Sequence, residues 1–141
     1  LKRCDRPGEI PTFQFPVWPG GFHPDPEQSD AWNRGAYLVN GPGHCGECHT
    51  PRSALMIPDE DRAFAGGLHP RGDKGKVPGL LGLEDRGRYT DISDLTLALQ
   101  FGETFGYDKL SSGGMADVQM NLAMLPEDDL RAIAEYLLSL D

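Results

Sequence analysis

At 141 residues the chain is one domain of ordinary size, long enough for a single hydrophobic core. A net charge of −9 argues against a nucleic-acid partner and toward encounters with basic or neutral protein surfaces. No apolar run approaches the roughly 20 residues needed to span a bilayer.

The first 28 residues show neither helical nor strand period. Pro7, Pro11, Pro16, Pro19, Pro24 and Pro26 punctuate them, with Phe13, Phe15, Trp18 and Phe22 between. Prolines fix the chain and remove backbone donors, so this reads as an extended arm over residues 1–28, its aromatics covering a core edge or an interface. The domain proper is expected over 29–141. The chain starts at Leu1 rather than Met and carries no signal-like segment, which reads as processing or as a fragment of a longer precursor.

Ser29 or Asp30 is placed to cap a helix that runs to about Asn40, with Gly35, Leu38 and Val39 on one face. Gly41-Pro42-Gly43 ends it. Residues 50–90 are rich in loop formers. Ser93 or Asp94 opens a second helix with Leu95, Ala98 and Leu99 as its inner stripe. Pro126 stands at a first helical position, followed by Glu127, Asp128 and Asp129, which suit a helix N-terminus. Leu130, Ile133, Ala134, Leu137 and Leu138 then keep helical spacing to the C-terminus. Strand-like alternation is absent, so the expected class is all-α with long loops.

Between the first helix and the loop region stands Cys45-Gly46-Glu47-Cys48-His49, a C-x-x-C-H string. This is the attachment signature of a c-type haem. Two thiols add across the two vinyl groups of one haem, and the next residue lies under the iron. A covalent haem also supplies the apolar body that a chain with 38% hydrophobic residues, 18 Gly and 12 Pro otherwise lacks. Rival readings of C-x-x-C are a thioredoxin-like redox pair and half of a zinc site. The first wants a βαβ context; the second wants four ligands, and only Cys4 and His44 are spare nearby. Cys4 is the odd cysteine, either an unpaired thiol or a cross-link to another chain or a missing upstream segment.

With His49 as one axial ligand, the other falls to a Met, a His or an open site. His23, His44 and His69 and four methionines are available. Met56 would need a very tight loop. Met115 follows Ser111-Ser112-Gly113-Gly114, where missing side chains suit close approach to a flat porphyrin. Met120 and Met124 read as packing residues, with an alternative ligand role open.

The order of these features resembles a class I cytochrome c. In detail, residues 24–52 (PDPEQSDAWNRGAYLVNGPGHCGECHTPR) and 114–140 (GMADVQMNLAMLPEDDLRAIAEYLLSL) resemble the haem domains of multihaem cytochrome subunits of bacterial membrane-bound dehydrogenases for alcohols, aldehydes and sugar acids. The resemblance implies one haem c on Cys45 and Cys48, with His49 proximal and Met115 distal. It implies that the Pro78 carbonyl in Lys76-Val77-Pro78-Gly79-Leu80 holds the other His49 ring nitrogen. It points to a contact between Gly35 and Tyr136 at the crossing of the first and last helices, and makes Arg52 and Tyr89 candidates for the haem propionates. The implied role is electron carriage in the periplasm, from a dehydrogenase to a cytochrome, quinone-linked subunit or oxidase. The loop from Thr50 to Val77 departs from the family pattern and suits a cover for the haem edge or a docking surface. The alternative is a haem enzyme or a gas or peroxide sensor with an open distal site, for which His69 and Arg71 are the candidate distal histidine and arginine.

Overall fold

The computed structural model describes residues 21–70, 75–85, 87, 89, 91–104, 108–109 and 114–141. The arm's first 20 residues, with Cys4, and Arg71 lie outside them. In chain order the described elements are α1 (Asp30–Asn40), α2 (Cys45–His49), a 3-10 turn (Glu60–Arg62), β1 (Gly67–Leu68), β2 (Lys76–Val77), α3 (Ile92–Phe101), β3 (Glu103–Thr104), β4 (Asp108–Lys109), α4 (Gly114–Leu122) and α5 (Glu127–Leu138).

Helices dominate the described residues, with two small ladders beside them. Two antiparallel ladders are present, β1 with β2 (Gly67 opposite Val77) and β3 with β4 (Glu103 opposite Lys109). Each strand has two residues, too short for any alternation to show in the sequence.

Ser29 caps α1, its Oγ accepting the Trp32 N–H at 2.9 Å. Asp91, rather than Ser93 or Asp94, caps α3 by accepting the Asp94 N–H. Pro126 sits one place before α5, as its N-cap rather than its first residue. The stretch ahead of the last helix is itself helical from Gly114.

The core is where α1, α3 and α5 meet. Val39 and Leu130 are fully buried, joined by Ala36, Leu38, Leu95, Leu99, Ile133, Ala134 and Leu137. Each full aliphatic burial contributes about 2 kcal/mol. The positions anticipated from helical spacing are therefore mostly core positions; Leu138 is half-buried.

The α1–α5 crossing is tight. A Cβ on Gly35 would overlap the Ala132 carbonyl oxygen and stand 2.8 Å from the Tyr136 Cβ. Around this point the helices are tied along their length. Trp32 stacks edge-on to Tyr136 with centroids 5.0 Å apart and donates to Ser139 Oγ. Asn40 Nδ2 donates to the Tyr136 hydroxyl. Arg34 grips Asp129 with two bonds, at 2.8 and 2.9 Å. Residues 21–28 lie against α1, with Phe22 edge-on to Tyr37 and Asp25 N–H donating to Asn33 Oδ1.

Two outcomes follow from this crossing. Gly35→Ala should destabilise the fold by about 3 kcal/mol, because backbone rather than a movable side chain blocks the methyl, and a chemical-denaturation midpoint reads the loss. The bond from Arg34 holds the Asp129 carboxyl below its ordinary value of 3.8. A depressed carboxyl stabilises the fold above the unfolded value and loses that contribution as pH falls through the folded one. Asp129→Asn should therefore cost up to about 1 kcal/mol at neutral pH, with the difference from the parent vanishing in acid.

Candidate functional site

The site begins where α1 stops. Gly41 N–H returns to the Tyr37 carbonyl and Gly43 N–H to the Leu38 carbonyl, each at 2.8 Å, closing the end of α1. Gly43 is required here, since a Cβ would stand 2.7 Å from the Leu38 carbonyl oxygen. His44 takes a left-handed turn (φ 49°) and starts α2 directly. In this one turn of helix, Cys45 and Cys48 are neighbours three residues apart, with His49 next.

Both cysteines are free and half-buried. Burial pushes the Cys45 thiol up to about 11, which keeps it protonated near neutral pH and unlike an activated redox thiol. No group of three or more His, Cys, Asp or Glu side chains able to hold a metal ion occurs among the described residues.

His49 is buried, and its Nδ1 lies 2.8 Å from the Pro78 carbonyl oxygen. A carbonyl can only accept, so Nδ1 carries the proton and Nε2 keeps its lone pair. Burial lowers the pKa of the ring, partly offset by this bond, and a neutral imidazole is the form that ligates a metal.

The Pro78 carbonyl is placed by a backbone crossing that the sequence reading missed. Segment 64–66 runs directly against segment 78–80. Leu80 N–H donates to the Phe64 carbonyl (2.8 Å) and Gly66 N–H to the His49 carbonyl (2.7 Å). Two glycines make the crossing possible. A Cβ on Gly66 (φ 78°) would run into Gly79 N and Pro78 C, and one on Gly79 would stand 2.8 Å from the Ala65 carbonyl oxygen. Buried Phe64, itself left-handed (φ 60°), donates its N–H to Thr50 Oγ1 at 3.1 Å. The glycines on either side of the loop were the available signal.

Arg52 is committed to the attachment turn. Its Nη2 donates to the Glu47 carbonyl and carboxylate, and its Nη1 to the Met56 carbonyl at 2.8 Å. Its Nε is buried and meets no protein acceptor. Tyr89 is half-buried against the core cluster. Met115 lies in the first turn of α4, half-buried. Met120 and Met124, read above as packing residues, are 61% and 83% exposed. Helix α4 has no buried residue, and Gln119 ties it to the end of α3 by donating to the Leu99 and Gln100 carbonyls. His69 is half-buried in the loop, its backbone N–H bonded to the Gly75 carbonyl.

These residues fit a covalent haem: two free thiols on one helical turn, a neutral histidine with Nε2 free to ligate, and a Met-bearing helix with no fully buried residue, of which Leu122 packs against the core. Curated relatives of this chain are c-type cytochromes and cytochrome subunits, and they support a cytochrome c haem domain. The chain is 46% identical over 104 residues to a diheme cytochrome c-type protein of Cereibacter sphaeroides, covering 74% of this chain and 33% of that protein. It is also similar to the gluconate 2-dehydrogenase cytochrome c subunit of Pantoea cypripedii (36% identity, 99% of this chain, 36% of the subunit). Against the fructose dehydrogenase cytochrome subunit of Gluconobacter japonicus the identity is 37%, over 82% of this chain and 23% of the subunit. The chain thus spans about a third or less of the length of these curated relatives. No protein-family model matches it.

Thr50 supplies the test of how this site is built. Thr50→Val leaves the buried Phe64 N–H without an acceptor and should cost about 1–3 kcal/mol in a denaturant titration, whereas Thr50→Ser should retain most of the stability.

Proposed function

We propose that this chain is an electron carrier of the class I cytochrome c type, holding one haem. Domain 29–141 forms the carrier and residues 1–28 an arm. When bound, the haem supplies a one-electron ferric/ferrous couple. Cys45 and Cys48 hold the group through thioethers. His49 would hold it through Nε2, while the Pro78 carbonyl, accepting from Nδ1, fixes the ring's tautomer and would strengthen its donation. Met115 would hold it through its thioether sulfur, which would favour the reduced state relative to a second histidine. The buried Arg52 Nε and the Tyr89 side chain are the candidates to meet the propionates.

With His49 and Met115 both engaged in holding the group, no bond-making step would fall to this protein. The names of its relatives support a dehydrogenase as the electron donor. A cytochrome, a quinone-linked subunit or an oxidase suits as acceptor, and the periplasm as location. Among the described residues no helix is long and apolar enough to cross a membrane.

The observation that carries the reading is the 2.8 Å bond between His49 Nδ1 and the Pro78 carbonyl beside two free thiols, because it presents Nε2 as a ligand. The test is the spectrum of the haem-loaded protein. The weak far-red ferric band that reports thioether–iron ligation should be present and should disappear in Met115→Ala, with a fall in potential. Survival of the band in that variant would transfer the role to Met120 or Met124. A high-spin ferric spectrum in the parent would favour the open-site enzyme or sensor.

A further inference from the structure

The loop that follows the attachment turn presents three consecutive apolar residues to solvent. Leu55 is 81% exposed, Met56 50% and Ile57 59%. Exposed apolar side chains are ordinary when scattered, but three in a row on a built turn are not.

The turn is built. Met56 N–H donates to the Ser53 carbonyl and Ser53 N–H to the Ile57 carbonyl, each at 2.9 Å. Ser53 Oγ accepts from both Leu55 N–H and Ile57 N–H at 3.3 Å. Arg52 and Pro58 pair across its base, and Asp59 N–H returns to the Pro51 carbonyl. Met56 is left-handed (φ 63°), a conformation that glycine would adopt at less cost. A loop that only had to connect the neighbouring segments would need none of this.

The same turn is fastened to the cysteines. The Arg52 guanidinium bridges the Met56 carbonyl and the Glu47 carbonyl, and Glu47 lies between Cys45 and Cys48. Through one side chain, the tip is held at a fixed position relative to the haem-attachment turn.

Its surroundings are acidic. Glu47 is half exposed and paired with Arg52 on one side, Asp59 is paired with Arg62 on the other, and exposed Glu60 and Asp61 add net negative charge beyond these two pairs, on a chain of net charge −9. An apolar centre with an acidic rim is a docking face whose complement is apolar at its centre and basic at its rim. The same charge disfavours a second copy of this chain as the occupant.

We infer that Leu55, Met56 and Ile57 form a fixed apolar knob beside the attachment turn, fitted to a redox protein whose docking face is an apolar hollow ringed by lysine or arginine. The inference rests on the carrier reading and names the kind of partner for that site. Apolar contact sets the lifetime of the encounter, while the acidic rim sets its rate and salt dependence.

The test uses the haem-loaded protein in its ferrous form and two ferric oxidants, a strongly basic cytochrome c and the small anion ferricyanide. Each event moves one electron from this protein to the oxidant, and stopped-flow absorbance follows both. Leu55→Ser combined with Ile57→Ser should slow reduction of the basic cytochrome about tenfold and leave the ferricyanide rate unchanged. Glu60→Gln with Asp61→Asn should flatten the salt dependence of the protein reaction. Leu97→Ser, which alters a similarly exposed apolar residue on α3, should change neither rate. Circular dichroism and the haem spectrum check that each variant is folded. An unchanged protein rate in the knob variant, or an equal loss in Leu97→Ser, would overturn the knob and leave the carrier reading intact. A parent protein that reduces neither oxidant would sink the carrier reading, and the knob with it.

Discussion

The contact on which the rest of the structure depends is the crossing of α1 and α5 at Gly35. With no Cβ there, the α1 backbone comes down onto the Ala132 carbonyl and the Tyr136 side chain. That approach buries Val39 on one side and Leu130 on the other, and gives the Arg34–Asp129 and Trp32–Ser139 ties their geometry. Among the described residues the core builds outward from this joint to Leu95 and Leu99 of α3 and to Phe64 and Leu83.

Function enters through what leaves that joint. The α1 backbone is closed by Gly41 and Gly43 and turns at His44 into α2, so the two thiols inherit their position from the crossing. On the other side, the 64–66 and 78–80 segments pass backbone on backbone through Gly66 and Gly79. This delivers the Pro78 carbonyl to His49. The attachment turn is therefore gripped from two directions, by a helix joint before it and a loop crossing after it. Arg52 adds a third hold through Glu47. Such redundancy suits a site that presents a neutral ligand nitrogen in a buried place without the ring reorienting.

The sequence disclosed what is local. C-x-x-C-H is a spacing within one turn, and the caps and apolar periods of α1 and α5 lie within a few residues of one another, so both are readable by eye. Asp91 escaped as the cap of α3 because Ser93 and Asp94 are equally good capping residues. Helix α4 escaped because it begins at a glycine after a Ser-Gly run and fully buries no side chain, which weakens the period that marks a helix. The two ladders are too short to alternate. The contact between His49 and Pro78 spans 29 residues and has no periodic trace. Pro78 was suggested only by the likeness of its loop to a family pattern, and the glycines that place it were not recognised as a pair. Arg52 shows the same limit. Its candidacy for a propionate came with the same likeness, and the bonds of both Nη atoms to Glu47 and Met56, five and four residues away, had no signal in the sequence.

The central claim is that this chain holds one haem through Cys45 and Cys48. The direct measurement is the intact mass of the protein after production in a host competent for c-type cytochrome maturation, under denaturing conditions that strip any non-covalent group. The account predicts the mass of the chain plus one haem, with the addition localised to the peptide that contains Cys45 and Cys48. An unmodified mass for protein matured alongside a correctly loaded control cytochrome would contradict it.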